Sequence, residues 1–144
     1  MPTRRDDPYL NFNFVVEIEG SPVAGFSEAD LPEGRIEVVA YREGTDRTSA
    51  SRLLPGRVSY GPLVLRRGFA GDASLFQWWQ AVAQGTPDRR NVSVQLLDEQ
   101  RQEVARWSLR KAMPIKWEGP SMNARGNDVA IETLELAHEG LELE

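Results

Sequence analysis

Alternation of apolar and polar residues is the feature that most limits how this chain folds. From residue 10 to residue 18 an apolar side chain stands at every second position, and mostly polar residues occupy the positions between. Successive side chains of a β-strand point to opposite faces, so this pattern is typical of a strand with one buried face. Residues 35–41 repeat it, and so do residues 129–136, where the apolar face is expected to switch at a bulge before Leu134 and Leu136. The alternation therefore predicts a mainly β fold.

Further extended segments bring the predicted total to about seven or eight strands. They lie at residues 23–31, 57–66, 90–97 and 103–111. Pro62 favours an edge or a bulge in the second of these, because proline donates no ladder hydrogen bond. Residues 113–117 are expected to be irregular, since glycine and proline punctuate this region.

One helix is predicted, from Asp72 to about Gln84. The Asp72 carboxylate suits the free N–H groups and the positive dipole end of a first helical turn. Apolar residues then recur at helical spacing: Leu75, Phe76, Trp79, Val82 and Ala83. Trp78 lies beside this stripe, either as an edge of the core or as an interface anchor. Together, these elements predict an antiparallel β-sandwich or barrel with a single α-helix and a long inter-strand arm loop.

The long polar loop lies between the strands at 35–41 and 57–66. Compact domains usually join their elements with about 4–6 residues, and a loop of ~15 is commonly functional or disordered. Apolar anchors and turn residues bound this loop, so we interpret it as an arm that reaches another subunit. The predicted interface residues are Tyr41, Arg42, Glu43, Gly44, Thr45, Arg47, Arg52, Leu54, Pro55 and Gly56.

Length and composition exclude several classes of protein. The chain has 144 residues, 40% of them hydrophobic and 27% charged, which suits a single globular domain spanning residues 1–144. No apolar run approaches the ~20 residues of a transmembrane helix. The sequence contains no cysteine, which excludes disulfides and thiolate metal sites. A net charge of −5 argues against a general nucleic-acid binder.

Catalytic and cofactor-binding patterns are absent from the sequence. His138 is the single histidine, so a zinc site or a Ser-His-Asp triad would have to use this residue near the end of the chain. No glycine-rich phosphate loop follows a strand. Glu17 and Glu19 are expected to be solvated on one strand face. We therefore predict no enzymatic activity, no catalytic residues, no cofactor and no metal.

Taken in order, several motifs resemble the inner tube proteins of contractile phage tails, R-type bacteriocins and extracellular contractile injection systems. The resemblance covers nearly the whole chain. It is carried by Asn11–Gly20 (NFNFVVEIEG), Gly25–Glu28 (GFSE), Tyr41–Gly44 (YREG), Leu54–Gly56 (LPG), Leu63–Gly68 (LVLRRG), Asp72–Trp79 and Ile131–Glu142.

The resemblance implies a structural subunit that forms hexameric rings, which stack into a tube inside a contractile sheath. On sheath contraction the tube is driven through a target envelope, with protein cargo or DNA in its lumen. Implied partners are the sheath protein, baseplate and spike proteins, and tube-terminating proteins. The loop at 41–56 corresponds to the family's arm, and Asp72, Gln77 and Trp78 would mark a helix surface that faces the sheath. Synthesis in the bacterial cytoplasm precedes assembly into a phage tail or a tail-like particle.

Two alternatives remain open at this stage. The first keeps the family but changes the part: a tube initiator, a baseplate-proximal ring, or a tube-like protein of type VI secretion. The second belongs to another class, a monomeric small β-barrel that binds a ligand.

Overall fold

The structure is a computed structural model that describes residues 7–11, 13–23, 25–45 and 51–144. This part of the chain forms ten strands and one helix, which confirms the predicted mainly β fold class. In chain order they are β1 (Phe14–Ile18), β2 (Ser21–Val23), β3 (Phe26–Asp30), β4 (Gly34–Tyr41), β5 (Arg52–Tyr60), β6 (Leu63–Gly68), α1 (Ser74–Ala83), β7 (Arg90–Leu97), β8 (Glu103–Glu118), β9 (Ile131–Ala137) and β10 (Leu141–Leu143).

The 16-residue strand β8 is shared by two antiparallel sheets. Its residues 103–112 pair with β7 and β10, giving sheet 1 in the order β2-β1-β7-β8-β10. Its residues 113–118 pair with β9, giving sheet 2 in the order β8-β9-β6-β3. The prediction that residues 113–117 are irregular is therefore wrong. Pro114 is accommodated within the strand because the register shifts between Pro114 and Lys116.

The core lies between the two sheets and is built mainly from alternate strand residues. Leu63 and Leu65 on β6, with Leu134 and Leu136 on β9, are completely buried. Val92 and Val94 of β7 face them from sheet 1. Their neighbours on β6 and β9 are half-buried in strict alternation, apart from the buried polar pair described below. The period of two in the sequence therefore identifies the core positions of these strands.

Helix α1 closes one side of this core, with a different buried face from the predicted one. Leu75 and Trp78 are buried, whereas Ala83 is exposed. The Trp78 indole Nε1–H donates to the Asp88 carbonyl oxygen at 2.8 Å. The outward position that the resemblance implies for Trp78 is therefore wrong, and the core interpretation is confirmed, because the i, i+3 pair of Leu75 and Trp78 makes the contact with the core. Gln77 is exposed, as expected of a residue on the outer surface.

Asp72 lies just before α1, which begins two residues later than the sequence predicts and has Ala73 at its N-cap. The Asp72 Oδ1 atom accepts the backbone N–H of Ser74 at 2.9 Å, and the helix begins at Ser74. This hydrogen bond is the main reason why the pKa of Asp72 lies below its ordinary value. The carboxylate therefore orders the first turn from a position two residues before the helix.

Two predicted strands are each divided in the structure. Residues 23–31 contribute to β2 and β3, which are separated near Gly25, a residue with a φ of +90°. Residues 57–66 belong to β5 and β6, which are separated by Gly61 and Pro62. Glycine reaches this positive φ easily, and proline cannot continue a ladder, so local backbone chemistry sets both breaks.

Candidate subunit interface

Strands β4 and β5 form a separate two-stranded sheet, in which every residue is exposed. We call β4, β5 and the described residues between them, 42–45 and 51, the arm. The prediction of a structureless loop from Tyr41 to Gly56 is therefore wrong, because β4 ends at Tyr41 and β5 begins at Arg52. The predicted interface residues Arg42, Glu43, Gly44 and Thr45 lie in the connection, and Arg52, Leu54, Pro55 and Gly56 lie in β5. Arg47 lies outside the described residues.

A β-bulge explains why Pro55 and Gly56 were misinterpreted as the end of a loop. Ile36 pairs with Val58 and Val38 pairs with Pro55, so β5 carries one more residue than β4 across this interval. A Cβ atom on Gly56 would lie 3.0 Å from the Glu37 carbonyl oxygen and 2.9 Å from Val39 Cγ2. Only glycine permits this close approach, and the bulge tolerates the proline beside it.

The register of the arm gathers apolar side chains on one face. Directly paired residues of an antiparallel sheet point to the same side, and alternate residues share that side. This apolar face consists of Ile36, Val38, Ala40, Leu53, Pro55, Val58 and Tyr60. Val38 is 63% exposed and Leu53 is 72% exposed. The opposite face is mixed, with Arg35 and Glu37 beside Val39 and Tyr41.

The arm is poorly suited to exist alone in water. An isolated two-stranded hairpin is at best marginally stable, and contiguous exposed apolar surface usually marks an interaction site. Gly61 N–H donates to the Glu33 carbonyl oxygen at 2.9 Å and closes the base of the hairpin. This backbone bond fixes where the arm leaves the body but covers none of its apolar face.

Most of the apolar face lies outside the interface residues predicted from the sequence. Those residues include Pro55 but omit Ile36, Val38, Leu53 and Val58. A signal was present, because 36–40 and 53–60 both carry β-branched or aliphatic residues at alternate positions. The bulge at Gly56 shifts that alternation by one residue, so a constant period does not identify residues 52–60 as one strand.

His138, near the base of the arm, is half-buried and well satisfied. Its Nε2 atom lies 3.1 Å from the Gly61 carbonyl oxygen, and Gly140 N–H donates to its Nδ1 atom at 3.3 Å. The Tyr60 ring lies 5.5 Å from the imidazole, centroid to centroid. These contacts give the histidine a supporting position beside the start of β6.

A groove opens at one end of the sandwich, between sheet 1 and strand β3. Its volume is about 500 Å³. It is lined by Asn11, Phe14, Ser27, Glu28, Ala29, Asp30, Leu31, Val94, Leu96 and Trp107, and we call it the end groove. Two of these residues bind Arg66, which donates to Glu28 at 3.0 Å and to Asp30 at 2.9 Å. The hydrogen bond with Asp30 is the main cause that raises the pKa of Arg66.

A buried polar network joins sheet 2 to the start of α1. Arg67 Nε–H donates to Glu132 Oε1, and the Arg67 guanidinium also donates to the Asp72 carbonyl oxygen at 3.0 Å. Trp117 Nε1–H donates to the second oxygen of Glu132 at 3.0 Å. Arg67 is 5% exposed and Glu132 is 1% exposed, so both charges are removed from water and compensated by each other.

The described residues contain no group of three or more histidine, cysteine, aspartate or glutamate side chains placed to hold a metal ion. Within the same ranges, no helix is long and apolar enough to cross a membrane.

Sheet 2 has two free edges within the described part of the chain. They are β3 and the segment 113–118 of β8, which form the two edges of the four-stranded sheet 2. Free edges expose backbone groups that readily pair with another chain. Sheet 1 ends instead in the three-residue strands β2 and β10, which offer little edge.

Comparison with known proteins gives a consistent result. The family model described as T4-like virus tail tube protein gp19 matches residues 10–142. No curated protein sequence matches the chain. A chain in the structure of the anti-feeding prophage baseplate has a TM-score of 0.84 and 27% identity, with 97% of each chain covered.

Two further solved structures share the fold at lower identity. A chain in the sheath–tube complex of the extracellular contractile injection system PVC, in its extended state, has a TM-score of 0.84 and 20% identity, covering 95% of this chain and 91% of that one. Hcp1 from Flavobacterium johnsoniae is less similar, with a TM-score of 0.56 and 11% identity over 90% of this chain and 93% of that one.

Proposed function

Because the chain belongs to the T4-like virus tail tube protein family, we propose that it is a structural subunit whose hexameric rings stack into the inner tube of a contractile injection machine. In this role it forms, as one domain, the conduit that sheath contraction drives through a target envelope. The activity is mechanical and needs no catalytic residue, cofactor or metal.

The exposed apolar face of the arm is the observation that carries this proposal. A hairpin with seven apolar residues on one face gains stability only when another molecule covers that face. In a repeating assembly every copy supplies such cover to a neighbour. We therefore propose the arm as the main subunit interface, which includes the predicted residues from Tyr41 to Gly56 and extends to Ile36 and Tyr60.

The edges of sheet 2 support ring closure. Its four strands are antiparallel, so an edge strand β3 beside segment 113–118 of the next copy would continue the antiparallel order. Such pairing closes a continuous sheet around a bore and satisfies the free backbone groups. The outer side of sheet 2 carries Arg66, Thr133, Glu135 and Lys116, and polar side chains suit a water-filled lumen.

Similar proteins support the proposed partners. One similar chain lies in a baseplate described as six-fold symmetrised and another lies in a sheath–tube complex. We propose the same kinds of neighbour here: sheath, baseplate and spike, and tube-terminating proteins, with protein cargo or DNA in the lumen. The proposed sheath-facing positions are Asp72, which is exposed just before α1, and Gln77, which is exposed on α1. The subunit would be made in the bacterial cytoplasm and assembled into a tail or tail-like particle.

Matched charge substitutions on the two faces of the arm test the proposal. Leu53→Asp places a carboxylate in the apolar face, and Ser59→Asp places one on the mixed face. We expect the unsubstituted chain and Ser59→Asp to form rings or tubes by negative-stain microscopy and size-exclusion chromatography. Leu53→Asp should remain a folded monomer. Normal tubes from Leu53→Asp, or a monomeric unsubstituted chain even with a baseplate nucleus, would contradict the proposed function.

A specialised ring close to the baseplate is the second candidate, because one similar chain belongs to a baseplate structure. It differs from the main tube in the length of its assemblies. Single rings that do not stack favour the specialised ring, whereas long tubes of the purified chain favour the main tube. The alternative of a tube-like protein of type VI secretion has weaker support, since the likeness to Hcp1 shows the fold alone.

A further inference from the structure

We propose that His138 is a positioning residue, which fixes the angle between the arm and the body, the two-sheet sandwich with α1. The arm is connected to the body through residues 31–33 and 61–62, and we call these residues the joint. Among the described helices and strands, β4 and β5 make extensive contacts only with each other. The joint therefore decides the direction in which the arm points.

The joint interrupts one continuous hairpin at a pair of prolines. The same register holds on both sides of the joint, as two pairs show: Asp30 with Val64, and Gly34 with Tyr60. This register places Pro32 opposite Pro62. Proline has no backbone N–H, so neither residue can donate a ladder hydrogen bond. Strands β4 and β5 thus extend the pair of β3 and β6 across a point where the ladder is broken.

Two hydrogen bonds hold the joint at Gly61. Its N–H donates to the Glu33 carbonyl oxygen at 2.9 Å, which ties the two strands of the joint to each other. Its carbonyl oxygen lies 3.1 Å from the Nε2 atom of His138. Extended by two residues, the register of β6 and β9 places His138 opposite Gly61. The imidazole therefore holds the strand next to Pro62, where the backbone ladder with β9 has ended.

The partners of the imidazole determine which nitrogen carries its hydrogen. The Gly140 N–H can only donate, and it donates to Nδ1 at 3.3 Å, whereas the Gly61 carbonyl can only accept. The hydrogen is therefore on Nε2, which donates to the joint. Gly140 is itself fixed, because its carbonyl oxygen accepts the backbone N–H of Arg110 in β8 at 3.1 Å. The Tyr60 ring packs beside the imidazole. His138 thus connects the joint to both β8 and β9.

A fixed angle lowers the entropic cost of association. An arm that adopts many directions loses that freedom when another molecule covers it, whereas an arm that already points in one direction does not. This benefit rests on the proposed function, because only an assembly covers the arm. The positioning itself is a property of one chain and is measured within one chain.

A distance between two spin labels reports the angle of the arm. The chain has no cysteine, so Ser59→Cys on the mixed face of the arm and Gln80→Cys, exposed on α1, accept one nitroxide each. The labelled chain is mixed with an excess of the same chain without labels, and double electron–electron resonance then measures the distance within one chain. We expect a single narrow peak from the chain with His138. His138→Ala should lose this peak and give a broad distribution.

Two amide side chains distinguish the bond to Gly61 from the bond to Gly140. Glutamine places its NH₂ group near the position of Nε2 and donates to the Gly61 carbonyl. The shorter asparagine places its oxygen near the position of Nδ1 and reaches only Gly140. His138→Gln should therefore restore the narrow peak, and His138→Asn should not.

A narrow peak from His138→Asn would overturn the proposal, because the support of Gly140 alone would then fix the arm. A distribution from His138→Gln as broad as that from His138→Asn would also overturn it. Should His138→Ala unfold, the comparison of the two amides decides by itself, since both variants keep a polar side chain at this half-buried position.

The outcomes separate the positioning from the proposed function. If His138→Ala keeps the narrow peak, the positioning is overturned, even where every variant forms normal tubes. A narrow peak that depends on His138, in a chain that never forms rings, supports the positioning and contradicts the proposed function.

Discussion

The body and the arm of this protein use the same kind of residue under opposite conditions. In the body, alternate leucines of β6 and β9 are completely buried between two sheets. In the arm, alternate aliphatic residues of β4 and β5 are as regular in sequence but more than 40% exposed. Burial of apolar surface is the main favourable term in folding and in association. The body therefore buries its apolar surface within one chain, whereas the arm can bury its apolar surface only against another chain.

This difference separates stability from assembly at the level of single residues. A substitution in the body should change the free energy of unfolding of the monomer. A substitution of the same type in the arm should leave that quantity nearly unchanged and act on association. Paired variants, one in each region, therefore test the comparison without relying on an absolute stability.

The largest expected effect comes from the buried ion pair. Glu132→Ala removes the buried carboxylate that pairs with the Arg67 charge and accepts from the Trp117 N–H, and breaking such a pair costs about 3–5 kcal/mol. Glu33→Ala at the base of the arm removes a partner of Arg35 in a pair that is mostly exposed, which is worth about 0–1 kcal/mol. Urea unfolding of the two monomers measures both. Equal losses would show that the arm base contributes to the fold as the body does.

The next effect comes from a matched pair of leucines. Leu134→Ala creates a cavity in a fully buried site and should lower the free energy of unfolding by about 2–5 kcal/mol. Leu53→Ala, at a residue that is 72% exposed, should change it by less than about 0.5 kcal/mol. Sedimentation velocity should show the reverse order for assembly. Among folded molecules, Leu53→Ala should reduce association more than Leu134→Ala does. A large stability loss from Leu53→Ala would mean that the arm folds back onto its own body.

How much the sequence predicted also differs between the regions. In the body, the sequence predicted strands at 90–97 and 129–136, but the expected switch of the apolar face before Leu134 is wrong, because β9 runs without a bulge and buries Glu132, Leu134 and Leu136 on one face. The sequence also contained an unused clue: Arg67 follows Leu63 and Leu65, and Glu132 precedes Leu134 and Leu136, in the same alternation. These positions indicate that both charges are buried.

In the arm the sequence was harder to interpret for a physical reason. The bulge at Gly56 changes the phase of the alternation, and Pro55 suggests a strand end. The buried face of α1 was difficult to predict for a related reason. A helical stripe of apolar residues does not specify which of its side chains contact the sheets, and Trp78 lies beside that stripe. Tertiary contacts decide both cases, and no local pattern contains them.

A smaller effect is expected from the bulge itself. Gly56→Ala places a methyl group against the Glu37 carbonyl and the Val39 side chain, and should destabilise the hairpin by about 1–3 kcal/mol. Hydrogen exchange should become faster in β4 and β5 and stay unchanged in β6 and β9. Ser59→Ala is the control on the same strand. Faster exchange throughout the body would contradict the independence of the two regions.

The smallest effect concerns pH and is confined to the body. The pKa of Asp72 is lowered in the folded state, first by the hydrogen bond from Ser74 and also by the charge of Arg67. A group with a depressed folded pKa stabilises the fold above its unfolded pKa, whose ordinary value is 3.8, and this contribution is lost as the pH falls through the folded value. Asp72→Asn keeps an oxygen acceptor but cannot titrate. Thermal unfolding should therefore show a higher Tm for the unsubstituted chain above pH 4, with the difference shrinking on acidification, because protonated Asp72 and asparagine are then both neutral. A difference that stays constant with pH would mean that the carboxylate positions α1 through its shape alone.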